Sequence, residues 1–421
     1  MVNVYKGNII FSQGPNKLVT IPNGYIVVED MYVKDILKAP YKDAPVTDFG
    51  DNLIIPGFVD LHLHAPQYEN RGLGLDKELL TWLEMYTFAE EAKFSELAYA
   101  KRVYQRFIND LYESGTTRAV VYSTVHKEAT MLLFDIFIES GLGAYIGKCN
   151  MDRNCPKELR ESTENSIADT LSFINYKEHP LVRPIITPRF APSCSDALLK
   201  ALGTMAGEHN LPLQSHLSES NGELEFVRSL YPNQIHYTGV YEEFGCFNGS
   251  KTIMAHCIHN TEEEVQILKK YGVYVAHCPL SNTDISSGIC PVKSYINKGL
   301  NIGLGSDVSG GCSLYIPDSI VEAIRVSKLY SIYVDSNTEA LSFAEAFYLA
   351  TKGGGSFFGK VGSFEEGYAF DALVIDDSAL CDVNKRSLQE RLEQFIYCGS
   401  KQNIVKRYVN GVSTKASLAK W

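Results

Sequence analysis

His62 and His64 close the run Leu53-Ile54-Ile55-Pro56-Gly57-Phe58-Val59-Asp60-Leu61-His62-Leu63-His64. On a β-strand, side chains two residues apart share a face, so the two imidazoles converge while Leu61 and Leu63 face the buried side opposite. An apolar strand that ends in His-x-His is costly unless something binds both rings, and a divalent metal is the chemistry that does so. Further along stand Ser215-His216-Leu217-Ser218-Glu219, Met254-Ala255-His256-Cys257, His277-Cys278-Pro279-Leu280-Ser281-Asn282 and Gly305-Ser306-Asp307. Each follows a β-prone run. Imidazoles and carboxylates at successive strand ends suit a mononuclear hydrolytic centre, in which nitrogen and oxygen ligands hold zinc or ferrous iron and leave a position open for water.

Those residues need a scaffold of parallel strands. Strand-like runs cover Phe58–His64, Thr117–Thr124, Gly143–Asn150, Val182–Phe190, Pro212–Leu217, Thr252–Cys257, Val273–His277 and Asn301–Ser306, with helical stretches between them. Eight strands with intervening helices predict an α/β fold, a (β/α)8 barrel of the triosephosphate-isomerase type, whose catalytic groups sit at the C-terminal strand ends. Thr261-Glu262-Glu263-Glu264 reads as a capping box opening one helix, with Gly272 past its end. Residues 1–57 and 365–421 share a different texture of short β-prone pieces broken by Gly, Pro and Asn. They are expected to pair into one small flanking β-sandwich, leaving residues 58–364 as the hydrolase barrel.

Composition narrows the partners. The chain has 421 residues, a length that fits a barrel plus a small domain, and a net charge of −11, which disfavours nucleic acid and anionic membrane. No apolar stretch approaches the ~20 residues of a membrane span, and the start of the chain lacks the layout of a signal peptide. Ten cysteines without a Cys-x-x-Cys pair point to a reducing cytoplasm and remove the thiolate zinc site of cytidine-deaminase type.

The order His62-x-His64, His216, His256 and Gly305-Ser306-Asp307 resembles the amidohydrolase superfamily. Within it, Pro56 to Tyr68 (with His64-Ala65-Pro66-Gln67), Leu80-Thr81-Trp82-Leu83-Glu84-Met85-Tyr86-Thr87-Phe88, Thr187-Pro188-Arg189-Phe190, Gln214 to Glu219 and Gly303 to Gly311 are similar to the guanine deaminases. The metal motifs are shared by many deaminases and triazine hydrolases. The Gln67, Trp82 and Arg189 contexts discriminate among them.

The resemblance implies that His62, His64, His216 and Asp307 bind one zinc per subunit, with ferrous iron as the alternative. It implies Glu219 as the general acid/base, and His256 with Asp307 as the groups that steady the reacting water. Gln67, Trp82, Leu83, Arg189 and Phe190 would hold a purine base beside His64, His216, Glu219 and Asp307. The expected reaction is hydrolytic deamination of guanine to xanthine and ammonia, by a cytoplasmic homodimer. Residue chemistry agrees with these roles: zinc brings the pKa of a bound water to about 7, a carboxyl group at Glu219 can shuttle its proton, and Arg189 offers a fork of donors to a purine carbonyl.

Plainer readings stand beside these. His126, His179, His209, His236 and His259 read as ordinary structural or surface histidines. His277 reads as support for the barrel mouth ahead of ligation, and Trp82 and Arg189 have packing and charge-neutralising alternatives. Lys148, at the end of the third strand, would bridge two metals only in a modified form, and the resemblance is to the one-metal subtype. A relative acting on a pterin, an aminotriazine or an adenine-type nucleoside remains an alternative. A scaffold protein without catalysis is a remote one, since it would be expected to lack the ligands present here.

Overall fold

The computed structural model describes residues 2–41, 44–380 and 384–414. Its strands run β1 (Val2–Gly14), β2 (Lys17–Glu29), β3 (Tyr32–Leu37), β4 (Val46–Pro56), β5 (Phe58–His64), β6 (Thr116–Tyr122), β7 (Gly143–Gly147), β8 (Cys149–Asn150) and β9 (Val182–Pro184). They continue with β10 (Thr187–Pro188), β11 (Leu213–Leu217), β12 (Thr252–His256), β13 (Tyr274–His277), β14 (Asn301–Leu304), β15 (Ala372–Ile375), β16 (Ile404–Val409) and β17 (Val412–Ser413). Among the described residues no helix is long and apolar enough to cross a membrane.

The central strands form two parallel sheets, β5-β6-β7-β9 and β11-β12-β13-β14, with β8 paired to β10 beside them. The Ile186 amide donates to Pro212 O at 2.9 Å and the Gln214 amide to Ile186 O at 2.9 Å, so the two sheets meet there. At the opposite edges the Asp307 amide donates to His62 O and the His64 amide to Val308 O, both at 2.8 Å. Every expected central strand is present, but the third and fourth are interrupted. The fourth carries Pro184 and Pro188, and a residue without an N–H cannot continue a ladder. The third breaks at Lys148, whose side chain is buried and bonded to Glu161 at 2.6 Å.

Both chain ends join in one hydrogen-bonded sheet of seven strands, order β17-β16-β15-β4-β1-β2-β3. The sandwich expected from sequence is thus built as a single sheet, continuous because β4 pairs with β1 on one side and β15 on the other. Tyr5, Ile9, Val28, Ile54, Phe370 and Tyr408 pack on one face of it.

The helix opened by Thr261 has its capping box, with the Thr261 hydroxyl accepting from the Glu264 amide and the Glu264 carboxylate accepting from the Thr261 amide. Gly272 follows it at φ +62°, a conformation glycine adopts without strain.

One expectation about β5 fails. A β-bulge lies between Asp60 and Leu63, so Leu61 packs inward with Val59 and Val120, while Leu63 joins the helix-facing cluster with Phe107 and Phe134. The extra residue re-aims the strand end, a common device beside functional sites.

Candidate active site at the strand ends

The predicted residues gather at the C-terminal ends of the central strands. Ser218 (φ +52°), His256 (φ +70°), Cys257 (φ +51°) and Asp307 (φ +48°) all adopt the left-handed region just where β11, β12 and β14 stop. Non-glycine residues hold that conformation at a cost, and such outliers cluster at sites where they aim a side chain. Gly305 lets β14 approach β5: a Cβ there would meet Cys278 Sγ at 2.8 Å and His62 Cβ at 2.9 Å.

His62, His64, His216 and Asp307 face one another. His64 Nε2 lies 3.2 Å from His216 Nε2, and Asp307 Oδ1 lies 3.2 Å from His62 Nε2 and 3.5 Å from His64 Nε2. Ligands about 2.0–2.1 Å from a tetrahedral zinc stand roughly 3.3 Å apart, so these are ligand–ligand spacings. The electrostatics agree. Burial first, then the neighbouring imidazoles, holds His64 and His216 well below the usual histidine range, as neutral rings. Burial alone would raise the Asp307 carboxyl, but His62, His256 and His64 hold it well below the usual carboxylate range. The His216 Nδ1–H donates to Arg189 O at 2.6 Å, which turns the Nε2 lone pair toward the cluster. Both ring nitrogens of His62 and Nε2 of His256 are buried without a hydrogen-bond partner. Buried polar atoms of this kind normally have one, and a divalent cation would satisfy the His62 nitrogen that faces the cluster. Metal-compatible groupings also touch Cys278, but burial pushes its thiol well above the ordinary value, which disfavours the thiolate a metal needs.

His256 turns Nδ1–H to Asn282 Oδ1 at 2.9 Å, and its Nε2 faces Glu219 Oε2 at 3.4 Å and Asp307 Oδ2 at 3.7 Å. Glu219 lies one residue beyond the left-handed Ser218, past the end of β11. Burial, then the charges of Glu223 and Asp307, pushes its carboxyl well above the usual range, toward that of a group able to take a proton and give it back. The Ser287 hydroxyl donates to Glu219 Oε1 at 3.3 Å.

A cavity opens beside this cluster. His64, Gln67, Trp82, Leu83, Arg189, Phe190, His216, Glu219, His256 and Asp307 line it, together with Leu79 and Ile285. Of the expected site residues only His62 lies behind the wall, fully buried. The Trp82 indole N–H donates to Leu73 O at 3.0 Å, which fixes the ring as a wall of the cavity.

Sequence reasoning did not single out Glu91, Asn282, Ser287, Leu79 or Ile285 for roles here. Asn282 lay inside a motif already noted, His277 to Asn282, and that was its only signal. Glu91 had none, being one carboxylate in an ordinary helical stretch.

Thr124, the backbone around Leu181 and Ser287 O occupy the rings of His126, His179 and His259. His209 and His236 sit at helix ends. His277 is fully buried at the end of β13 and belongs to none of the metal-compatible groupings; burial and His256 push its pKa down to about 3.

Residues 53–413 match the amidohydrolase family. The chain is 38% identical to a guanine deaminase of Dictyostelium discoideum, over 99% of this chain and 98% of that protein. It is also 38% identical to a guanine deaminase of Homo sapiens, over 85% and 82%. A solved guanine deaminase from C. acetobutylicum, with guanine bound in its active site, superposes with a TM-score of 0.96 at 48% identity, covering 99% of this chain and 100% of that one.

Proposed function

The chain belongs to the amidohydrolase family, and within it we propose that the protein hydrolyses guanine to xanthine and ammonia. One observation carries this reading: a donor-rich pair, Gln67 and Arg189, lines the same small cavity as the imidazole–carboxylate cluster. The 48% identity to a structure with guanine in its active site supports it.

In this reading His62, His64, His216 and Asp307 hold one divalent ion, zinc by preference and ferrous iron as the alternative. When bound, such an ion polarises water so that it ionises near neutrality. Glu219 takes one proton from the water and delivers it to a ring nitrogen, then carries the second, from the new C2 hydroxyl, to the departing amine. Attack at C2 of guanine makes that carbon tetrahedral, and expulsion of ammonia leaves the new carbonyl of xanthine. His256, its ring set by Asn282, and Asp307 hold the attacking oxygen in line by hydrogen bonds. Arg189 donates to the purine carbonyl and Gln67 reads a donor–acceptor edge, while Trp82, Leu83 and Phe190 enclose the ring and exclude water.

The scaffold in this proposal is a closed (β/α)8 barrel over residues 58–364, supported by the backbone hydrogen bonds of Asp307 to His62 and of His64 to Val308, which tie the segment after its last strand to its first strand. In this reading the described residues of 1–57 and 365–421 form the flanking β domain. The nine cysteines among the described residues are free, which supports a reducing cytoplasm, and the resemblance supports a homodimer. The experiment is ammonia release by zinc-loaded protein from guanine, beside a pterin, an aminotriazine and adenosine. Release from guanine in clear preference is expected; release from another ring and none from guanine would overturn the assignment.

A further inference from the structure

Glu91 lies on the short helix Phe88–Ala92, is 2% exposed, and takes no part in lining the cavity. Its two carboxylate oxygens are nevertheless divided between the two polar readers of that cavity. The Gln67 amide donates to Oε1 at 2.8 Å, and Arg189 donates to Oε2 at 2.6 Å. We propose that Glu91 is a positioning and specificity residue that fixes how Gln67 and Arg189 present their donors and acceptors to the purine. This rests on the reading of the cavity as a guanine site.

The argument for Gln67 concerns the orientation of its amide. A side-chain amide rotated by half a turn exchanges oxygen for nitrogen at nearly the same positions, and only its partners decide between the two states. Here the partners have opposite and fixed character. The Glu91 carboxylate can only accept and demands the NH2 group, while the Ser309 backbone N–H can only donate and demands the oxygen, at 3.3 Å. Both constraints select the same state. One amide hydrogen and one oxygen lone pair then remain to face the cavity in a set order.

For Arg189 the argument is charge and direction. Arg189 is 3% exposed, with the Phe88 ring 5.2 Å from its guanidinium carbon. Burial disfavours its charge, and Glu91 more than restores it. With NH1 committed to Glu91, the rest of the planar fork is aimed by that bond. Reader orientation thus comes from a residue that does not touch the ligand, and losing it should weaken recognition more than chemistry.

The test compares wild type with Glu91→Gln on guanine, on the product xanthine, and on 2-aminopurine, which keeps the 2-amino group but has no carbonyl for Arg189 to recognise. The expected result is a KM for guanine and a dissociation constant for xanthine both raised roughly 10- to 100-fold, the scale on which a misplaced buried donor set loses its ligand. The turnover number should stay within about fivefold, metal content should be unchanged, and 2-aminopurine, which keeps the edge that Gln67 reads but not the carbonyl, should lose less binding than xanthine. Glu91→Asp keeps the charge but shortens the reach, so it should fall between the two, and it carries the test if Glu91→Gln does not fold. An unchanged xanthine dissociation constant, or equal losses for xanthine and 2-aminopurine, would overturn the proposal. Wild-type protein that releases no ammonia from guanine would instead overturn the functional reading beneath it.

Discussion

The cavity has two walls built on different principles. The imidazole–carboxylate wall stands on strand ends, where ladder hydrogen bonds fix the backbone and left-handed residues such as His256 and Asp307 turn the side chains inward. The other wall, with Gln67, Trp82, Leu83, Arg189 and Phe190, which we propose as the reading wall, comes from the segments after strands and from a helical run. There, side-chain contacts through Glu91 orient Gln67 and Arg189. Backbone-anchored groups suit a centre that must be stiff to hold a metal and a proton carrier. Side-chain-anchored groups can be altered singly without disturbing the sheet, which places chemistry and selectivity on separable parts.

Metal removal should break that contrast most severely. Chelation is expected to abolish ammonia release and to lower the melting temperature, because a ligand bound only to the folded state contributes about 4 kcal/mol at a thousand times its dissociation constant. Both should return on adding zinc. A chelated protein with wild-type activity would show that the strand-end cluster does not depend on a metal.

Glu219→Gln comes next. The amide keeps the size of the side chain but cannot carry a proton, so kcat should fall by roughly 10²- to 10⁴-fold with metal content intact. Turnover near the wild-type rate would assign the proton transfer elsewhere. Asn282→Ala should be milder. It frees the His256 Nδ1–H from its 2.9 Å partner, and loss of such an orienting bond typically costs about 10- to 100-fold. The loss should fall on kcat, with xanthine affinity unchanged, since Asn282 serves the strand-end wall alone.

The same division explains how much could be read from the sequence. Period-two β patterns and strand-end histidines located every central strand and the whole strand-end cluster, because a parallel sheet converts sequence position directly into place. The capping box at Thr261 and Glu264 was legible for the same local reason. The bulge that sends Leu61 inward was not, since it depends on pairing between β5 and β6. Nor was the single seven-stranded sheet, which follows from β4 lying between β1 and β15. Glu91 was invisible because its meaning lies in residues 24 and 98 positions away. Gln67 and Arg189 were found through resemblance, and the sequence carried no sign that one carboxylate joins them.

The smallest expected effect, from Arg189→Lys, tests whether the reading wall depends on shape as well as charge. A lysine could keep the ion pair with Glu91, now 2.6 Å long, and so would not strand a buried charge. It would lose the planar fork, which reaches Glu91 and the cavity at once, because an ammonium group is a compact point charge on a flexible stem. The KM for guanine should therefore rise about tenfold, because the lysine ammonium keeps the charge and loses only the second arm of the fork, with kcat within about threefold. Steady-state kinetics with metal analysis checks this. If kcat falls with KM unchanged, Arg189 acts on the reacting centre and the two walls are not separable. If KM alone moves, the reading wall can be retuned while the strand-end chemistry continues.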